Sequence, residues 1–310
     1  MKIAILHAPA PFSDSFYQQL SARLSGHALY RWEAGKEPPA DDFELVITTG
    51  KFSAKEIKTQ TRLQLILTAS AGYDGIDVAA AKEKNILVAY APSGETGNAV
   101  SVAEFAVLLI LGASRKLNQM VAPGAKGGGI SQALYGKTAC IVGLGEIGRL
   151  VARRLKPFGV KLTATDDHPK DAPKNIKVYP SAALHDALSR ADYVVLCIRA
   201  TPENENLIDA DAIKAMKKGA ILVNIARGSL IDEQALAKNL QSGHIGYAGL
   251  DVVKDEPLKP GQPLLKYPEV LLTPHIAGTT DLSLEGMVDY ISKTVKAYIK
   301  GKKPKARVDY

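Results

Sequence analysis

Short apolar runs alternate with segments of helical spacing along the whole chain. In the first hundred residues the runs are almost entirely apolar, which is typical of strands buried on both faces of a parallel sheet. The predicted strands are Ile3–Leu6, Leu45–Thr48, Leu65–Thr68 and Leu87–Tyr90. Helical spacing predicts helices at Phe16–Leu24, Ala54–Thr59 and Val78–Lys84. This alternation predicts a parallel sheet covered by helices.

A second series of predicted strands follows, again separated by helical patterns. Its six members are Ala139–Val142, Lys161–Thr165, Tyr193–Ile198, Ile221–Asn224, Gly249–Val252 and Val270–Leu272. Six is the strand count of a dinucleotide-binding sheet. A mostly apolar helix, Ala99–Lys116, joins the two series, and a last amphipathic helix, Leu282–Ile299, is expected to pack back on the first domain. The pattern predicts two α/β domains, one of residues 1–97 and 282–310, the other of residues 98–281.

Composition narrows the class of protein. The 310 residues are 46% hydrophobic and 23% charged, which is ordinary for a soluble globular protein and excludes extensive disorder. Part of the net charge of +7 lies in a basic tail, Lys300–Arg307, which we interpret as a solvated end rather than a nucleic-acid site. Cys140 and Cys197 lie in apolar runs, which indicates buried thiols and a reducing compartment. Since the chain shows neither a signal peptide nor a membrane-spanning run, we expect a cytoplasmic protein without membrane contact.

One motif predicts a specific kind of ligand. Residues 143–148 read Gly-Leu-Gly-Glu-Ile-Gly, directly after a predicted strand and at the start of a helical pattern. In such a motif Gly143 makes a tight turn, Gly145 lets the backbone approach a pyrophosphate, and Gly148 lets helix and strand pack closely. The backbone amides of Glu146 and Ile147 then lie at a helix N-terminus, which favours phosphate. We therefore predict a dinucleotide site here.

Asp166 indicates which dinucleotide. It ends the next predicted strand, at the spacing of about 20 residues where an acidic side chain accepts hydrogen bonds from ribose hydroxyls and repels a 2′-phosphate. The arginine expected for NADP is missing, although His168 and Lys170 are close. NAD is therefore favoured over NADP. The other glycine-rich stretch, Ala122–Gly129, has no strand before it and is interpreted as a surface loop.

Four charged residues lie at or after the ends of strands of the second series, namely Arg227, Asp251, Glu256 and His275. The carboxyl ends of parallel strands share one edge of a sheet, so these side chains can converge. A guanidinium binds a carboxylate with two hydrogen bonds, and an imidazolium can donate a proton to a keto oxygen. A carboxylate on the other ring nitrogen orients the imidazole and raises its pKa. Each residue alone is more often structural, but together, behind a dinucleotide loop, they predict hydride transfer between NADH and a 2-keto acid.

Several stretches match the motifs of one known family. They are Ser70–Asp77, Ser101–Glu104, Gly136–Gly148, Ala191–Glu203, Leu222–Gly228, Gly249–Pro257 and Thr273–Gly278. With them the sequence resembles the NAD-dependent D-isomer-specific 2-hydroxyacid dehydrogenases over nearly its whole length. The resemblance implies a Rossmann dinucleotide-binding domain inserted into a flavodoxin-like substrate domain, both doubly wound parallel sheets. It also implies a homodimer joined through the cofactor domains.

The resemblance implies a role for each matching residue. Arg227 becomes the clamp for the substrate carboxylate, Glu256 the partner of the acid/base His275, and Asp251 a partner of the nicotinamide side of the cofactor. The backbone amides of Ala71 and Gly72 are implied to bind the substrate carboxylate. The remaining expectations are Tyr73 and Asn98 for the substrate pocket, and Val102, Ala226 and Gly278 for the cofactor.

Some alternatives stay open at this point. Residues 97–104 and 277–280 resemble the formate dehydrogenase branch, but that branch has Gln where Glu256 stands, so Glu256 favours hydroxyacid chemistry. An NAD(H)-sensing regulatory or interaction protein on the same fold is the alternative of another class. Arg199, where the family often has proline, has either a phosphate contact or a surface role, and Lys51 either binds a second acidic group of the substrate or is solvated. Hydrolase and metal motifs are missing from the sequence.

Overall fold

The computed structural model describes residues 1–7, 10–37, 42–124, 130–169 and 171–309. The chain divides into two compact units. The split domain comprises Met1–Asn98 and Thr279–Tyr310, and the central domain comprises Ala99–Gly278. Each domain has its own parallel sheet, so the expected fold class, two α/β domains with parallel sheets, is confirmed.

The bounds of the elements are as follows. The strands are β1 (Lys2–His7), β2 (Ala28–Glu33), β3 (Leu45–Thr48), β4 (Leu65–Thr68), β5 (Leu87–Tyr90), β6 (Thr138–Val142), β7 (Lys161–Thr165), β8 (Lys177–Tyr179), β9 (Tyr193–Leu196), β10 (Ala220–Asn224), β11 (Ile245–Leu250) and β12 (Val270–Leu272). The α-helices are α1 (Pro11–Arg23), α2 (Ala54–Thr59), α3 (Val78–Glu83), α4 (Asn98–Ser114), α5 (Leu117–Met120), α6 (Glu146–Leu155), α7 (Leu184–Leu188), α8 (Ala210–Ala215), α9 (Glu233–Gln241) and α10 (Asp281–Ile299).

The sheet of the split domain has the strand order β2-β1-β3-β4-β5, all parallel. This is the order of flavodoxin-like doubly wound folds. β3 and β4 are entirely buried, which explains their uninterrupted apolar sequences. Alternate residues of β1 point to opposite faces, Ile3 and Ile5 into one core cluster and Ala4 and Leu6 into another.

Helix α10 packs on α1 in the first of these clusters, as expected from its amphipathic pattern. Phe16 and Leu20 of α1 share that cluster with Met287 and Ile291 of α10. The helix begins after Thr280, whose hydroxyl accepts a hydrogen bond from the Ser283 amide at 3.1 Å. This N-cap fixes where the chain becomes helical on its return to the split domain.

The central domain has a seven-stranded parallel sheet in the order β12-β11-β10-β9-β6-β7-β8. The chain runs outward from β6 to β7 and β8, and then returns to the other side of β6 at β9. Ligands of open α/β sheets bind beyond the carboxyl ends of the strands at such a reversal. A ligand-binding site is therefore expected at the loops that follow β6, β9, β10 and β11.

Two strands and part of the tail differ from the expectation. β2 and β8 were not predicted, because both are edge strands with a single buried residue each and show no apolar run. The basic tail is not a solvated end throughout. The Val308 amide donates to the carbonyl of Val88 at 2.8 Å, and the Tyr90 amide donates to that of Ala306 at 3.2 Å. The last described residues thus lie antiparallel along the edge of β5.

Two expectations fall partly or wholly outside the described residues. The surface loop Ala122–Gly129 includes residues 125–129, which the structure does not describe. Lys170, considered as a partner for a 2′-phosphate, also lies outside the described ranges.

Candidate active site

The glycine motif forms the turn between β6 and α6. Gly143 has φ of +92°, and a Cβ there would lie 2.7 Å from the backbone of Ile198. A Cβ at Gly148 would lie 2.1 Å from the carbonyl oxygen of Gly143. Both positions therefore require glycine for backbone reasons. A Cβ at Gly145 would meet nothing within 4 Å, so the exposed side of the loop is open to a ligand.

Asp166 lies beside this loop at the end of β7. Its Oδ2 accepts a hydrogen bond from the Leu144 amide, and its Oδ1 accepts one from the His168 amide, both at 2.8 Å. Helix α6 has Gly145 at its N-cap and no side-chain cap, so its positive end faces the open side of the loop. These residues fit a dinucleotide: an uncapped helix N-terminus for the phosphates, with a carboxylate held at its side.

The other residues expected near the cofactor lie in or at the edge of the central domain. Val102, on α4, is buried, and Ile147 is half-buried at the start of α6. Ala226 follows β10, and Gly278 is the last residue of the domain. Arg199 is exposed after β9, and its carbonyl accepts a hydrogen bond from the side chain of Asn204 at 2.8 Å.

His275 and Glu256 face each other. Nδ1 of His275 lies 2.7 Å from Oε2 of Glu256, and the other carboxylate oxygen accepts from the Val253 amide at 3.3 Å. The hydrogen bond to Glu256 raises the pKa of His275, because it stabilises the imidazolium. The side chains are 45% and 33% exposed, so the pair can meet a ligand. With Nδ1 held by the carboxylate, Nε2 is the ring nitrogen left for proton transfer.

Asp251 fixes the backbone around His275. Its side chain is buried, with Oδ1 accepting from the Thr273 hydroxyl (2.7 Å) and the Ile276 amide (2.9 Å), and Oδ2 accepting from the Ala277 amide (2.9 Å). Its carbonyl accepts from the His275 amide at 2.8 Å, and His275 has φ of +55°, which this bracing sustains. Burial raises the pKa of Asp251. The carboxylate thus holds the histidine loop, and the nicotinamide contact that the resemblance implies stays a prediction.

Arg227 lies in the loop after β10, and its Nη1 donates to the carbonyl of Ala226 at 2.8 Å. The next residue, Gly228, comes so close to the following loop that a Cβ would lie 2.0 Å from the carbonyl carbon of Val253. Since Val253 begins the segment that carries Glu256, this contact holds the arginine loop against the glutamate loop. The charge of Arg227 is close enough to oppose the rise in the pKa of His275.

Sequence reasoning did not single out Asn224 or Thr273. Asn224, the last residue of β10, is fully buried; its Oδ1 accepts from the Ala226 amide at 2.9 Å and its Nδ2 donates to the Arg227 carbonyl at 2.8 Å. The one signal in the sequence is a polar residue that closes an apolar strand, since a buried polar group needs partners.

The expected substrate residues belong to the split domain. Ala71, Gly72 and Tyr73 form the loop after β4, where the Ser70 hydroxyl donates to the Gly72 carbonyl at 2.6 Å. The ring of Tyr73 lies 5.5 Å from that of Tyr90.

Asn98 and Lys51 also lie in this domain. Nδ2 of Asn98 donates to the Ser283 hydroxyl at 3.2 Å. Lys51 is exposed after β3, and the Phe52 amide beside it donates to the Gly75 carbonyl at 2.9 Å, which holds this segment against the loop after β4.

The described residues contain neither a metal-binding cluster nor a membrane-spanning helix. No cluster of three or more His, Cys, Asp and Glu side chains is arranged there to hold a metal ion. None of the helices in the described ranges is both long and apolar enough to cross a membrane.

Comparison with known proteins identifies the central domain. The profile of the D-isomer specific 2-hydroxyacid dehydrogenase NAD binding domain matches residues 107–277. A D-3-phosphoglycerate dehydrogenase of Methanocaldococcus jannaschii is 36% identical over 266 residues, 83% of this chain and 50% of the relative. A glyoxylate reductase of Thermofilum pendens is 35% identical over 278 residues, 86% of this chain and 81% of the relative.

Solved structures agree over the full length. An NADPH-dependent glyoxylate/hydroxypyruvate reductase of Sinorhizobium meliloti, in complex with NADP and malonate, superposes with a TM-score of 0.85 at 28% identity and covers 99% of this chain and 96% of its own. The chain spans about half the length of the D-3-phosphoglycerate dehydrogenases it matches. With the NAD-binding profile over more than half of its residues, the chain belongs to the D-isomer specific 2-hydroxyacid dehydrogenase family.

Proposed function

We propose that this chain interconverts a small 2-keto acid and its D-2-hydroxy acid with NAD(H). The observation that carries the proposal is the His275–Glu256 pair, 2.7 Å apart, in the same domain as the glycine loop. The D configuration is proposed from the family. Relatives named as glyoxylate and hydroxypyruvate reductases support a small substrate.

Arg227, His275 and Glu256 each have a different role in the proposed reduction. The Arg227 guanidinium binds the substrate carboxylate, as a two-pronged donor does for a planar anion. His275 donates the proton from Nε2 to the keto oxygen, and Glu256 holds the imidazolium in place. A nicotinamide cofactor held at the glycine loop would supply the hydride. In the opposite direction His275 accepts the hydroxyl proton as a general base.

The binding residues are proposed in two groups. The amides of Ala71 and Gly72 bind the substrate carboxylate, and Tyr73 and Asn98 contribute to the pocket. The cofactor group consists of Val102, Gly143, Gly145, Glu146, Ile147, Gly148, Asp166, Ala226, Asp251 and Gly278. NAD is preferred to NADP because Asp166 places a carboxylate beside the glycine loop, where a 2′-phosphate would be repelled.

Assembly and location are also proposed. We infer a homodimer joined through the central domains, and exposed apolar side chains between residues 117 and 135 support it. A cytoplasmic location is supported by the two unbonded cysteines, Cys140 and Cys197. Burial raises the pKa of these thiols to about 11 and about 12, which keeps both protonated.

The test is NADH oxidation against glyoxylate, hydroxypyruvate, pyruvate, phenylpyruvate and oxaloacetate, repeated with NADPH. His275→Ala should lower turnover by roughly 10²–10⁴-fold and leave NADH binding in place. His244→Ala is the matched control, since His244 lies in the same domain and its Nε2 is 3.0 Å from the carbonyl of Ile213, away from the Glu256 pair.

Each outcome decides something. Turnover that persists in His275→Ala removes the proton-transfer role from this residue. Tight NADH binding without turnover of any of the five acids would favour the NAD(H)-sensing protein, which no relative reported above supports by name. Loss of turnover in both histidine variants would indicate a folding defect instead.

A further inference from the structure

Asn224 is a polar side chain buried in the middle of the central sheet. It closes β10, which lies between β9 and β11, and it is fully buried. Its own carbonyl accepts a hydrogen bond from the Asp251 amide at 2.9 Å. The strand is therefore fixed at the point where the chain turns into the loop that carries Arg227.

Both ends of the Asn224 amide are used in that loop. Oδ1 accepts from the Ala226 amide at 2.9 Å, and Nδ2 donates to the Arg227 carbonyl at 2.8 Å. The side chain thus satisfies one buried donor and one buried acceptor of the turn. Aspartate has the same shape but replaces the donor with an oxygen that faces the Arg227 carbonyl.

The other side of the turn is fixed by backbone contact. Gly228 lies against Val253, and the short helical turn that follows begins with the Leu230 amide donating to the Arg227 carbonyl at 3.3 Å. The backbone of Arg227 is thus held from the strand by Asn224 and from the next loop by Val253.

We infer that Asn224 is a positioning residue for Arg227. It fixes the arginine backbone relative to the His275 loop, through the strand contact with Asp251, so that the guanidinium meets a substrate carboxylate at the height of the proton donor. The inference rests on the proposed function, because it assumes that Arg227 binds the carboxylate.

Asn224→Asp tests the inference, with the KM of the best keto acid, kcat, the Kd of NADH and the Tm as readouts. We expect the KM to rise on the order of 10–100-fold, because a misplaced binding group loses most of its effect. The Kd of NADH should stay within about twofold, since aspartate keeps the oxygen that accepts from the Ala226 amide and the glycine loop is on another strand. Asn239→Asp is the matched control, because Asn239 also donates its Nδ2 to a buried carbonyl, that of Ala235 at 2.9 Å, but lies on α9.

A double-mutant cycle separates positioning from a general structural effect. In an Arg227→Ala background, Asn224→Asp should have almost no further effect on kcat/KM, since its only route to the substrate is gone. Additive effects, or an equal rise in KM and in the NADH Kd, overturn the inference. If Asn224→Asp fails to fold, Asn224→Ser, which keeps one acceptor and no charge, takes its place in the cycle. An unchanged KM in Arg227→Ala alone would refute the carboxylate clamp of the proposed function.

Discussion

Among single residues, Glu256 controls the protonation of His275. Its hydrogen bond raises the pKa of His275, so the imidazolium that the proposed reduction needs is present at low pH and is lost as the pH rises through this raised pKa. Glu256→Gln removes the charge and lets the pKa of His275 fall. We expect the alkaline limb of kcat/KM for keto-acid reduction to move to lower pH, measured by NADH oxidation across a series of buffers.

The control for this shift is a second glutamate, Glu233 on α9, which contacts the segment that carries Glu256. Oε1 of Glu233 accepts from the Lys254 amide at 2.7 Å and so supports the loop without touching the histidine. Glu233→Gln should leave the alkaline limb in place. If the alkaline limb of kcat/KM keeps its position in Glu256→Gln, or shifts equally in both variants, Glu256 is not the residue that raises the pKa of His275.

Asp166 is expected to decide between the two dinucleotides. Its carboxylate is fixed by two backbone amides at 2.8 Å, so it cannot turn away from a 2′-phosphate without losing them. Asp166→Ala should raise the ratio of kcat/KM for NADPH over NADH by roughly tenfold or more. Asp211→Ala, an exposed carboxylate on α8, should leave the ratio unchanged. A wild type that already prefers NADPH would refute this role of Asp166.

The sequence indicated the charged residues of the site but not what each of them contacts. The spacing of the sequence places both Asp251 and Arg227 near strand ends. The sequence around each residue does not show whether its side chain contacts a ligand or other parts of the protein. The structure adds the partners of the Asp251 carboxylate, which lie 22 to 26 residues further along the chain and which no local pattern predicts. Asn224 was not predicted as a site residue for a related reason. Its side-chain amide is uncharged, and no rule of sequence spacing applies to it.

Among the elements, the turn between β6 and α6 separates two roles of glycine. Gly148→Ala puts a methyl group 2.1 Å from the Gly143 carbonyl oxygen, and such overpacking costs roughly 1–3 kcal/mol. We expect the Tm to fall by roughly 2–10 °C, measured by thermal unfolding without ligand.

Gly145→Ala is the matched variant in the same turn. Gly145 has φ of −67° and nothing near its Cβ position, so the Tm should stay close to that of the wild type. The methyl group would instead occupy the open side of the loop, and the Kd of NADH should rise on the order of tenfold, measured by fluorescence titration. Unchanged NADH binding in Gly145→Ala would mean that the pyrophosphate does not approach there.

Elements buried on both faces could be predicted closely, and others could not. The bounds of β3 and β4 are the predicted ones, because a glutamate or glutamine precedes each apolar run and a threonine ends it. The bounds of α2 are also the predicted ones, but its start is set by the capping box of Ser53 and Glu56, since only Ile57 of this helix is buried. β11 begins at Ile245, four residues before the predicted start, because its glycines interrupt the apolar run. One of them, Gly246, is required by a backbone contact, since a Cβ there would lie 2.7 Å from the Gly219 carbonyl oxygen.

For the whole molecule, the two series of strands indicated two domains, and the basic side chains of the tail are exposed as expected, but the backbone pairing at its end was not predicted. Lys300–Arg307 is basic and looks solvated, yet residues 306–308 cover the edge of β5 with backbone hydrogen bonds. Such pairing depends on the backbone N–H and C=O groups of an edge strand rather than on side chains. It therefore cannot be predicted from a pattern of residue types.

The central domain of the single chain has several large apolar side chains that are exposed to solvent. Exposed examples between residues 117 and 135 are Leu117, Met120, Val121, Ile130 and Tyr135, of which Val121 is 71% exposed. This concentration of exposed apolar groups in one stretch supports the proposed interface. A second copy of this chain is the partner that the family implies.

Val121→Glu tests this interface. The wild type should sediment at twice the chain mass of 33.1 kDa. A glutamate at the centre of an apolar contact would be desolvated without a partner, so we expect the variant to sediment at the mass of one chain. Leu265→Glu is the matched control, because Leu265 is also exposed, at 50%, but lies outside this stretch, and it should stay at twice the mass. A variant at position 121 that remains dimeric would place the interface elsewhere, and a monomeric wild type would leave the exposed side chains to a different partner.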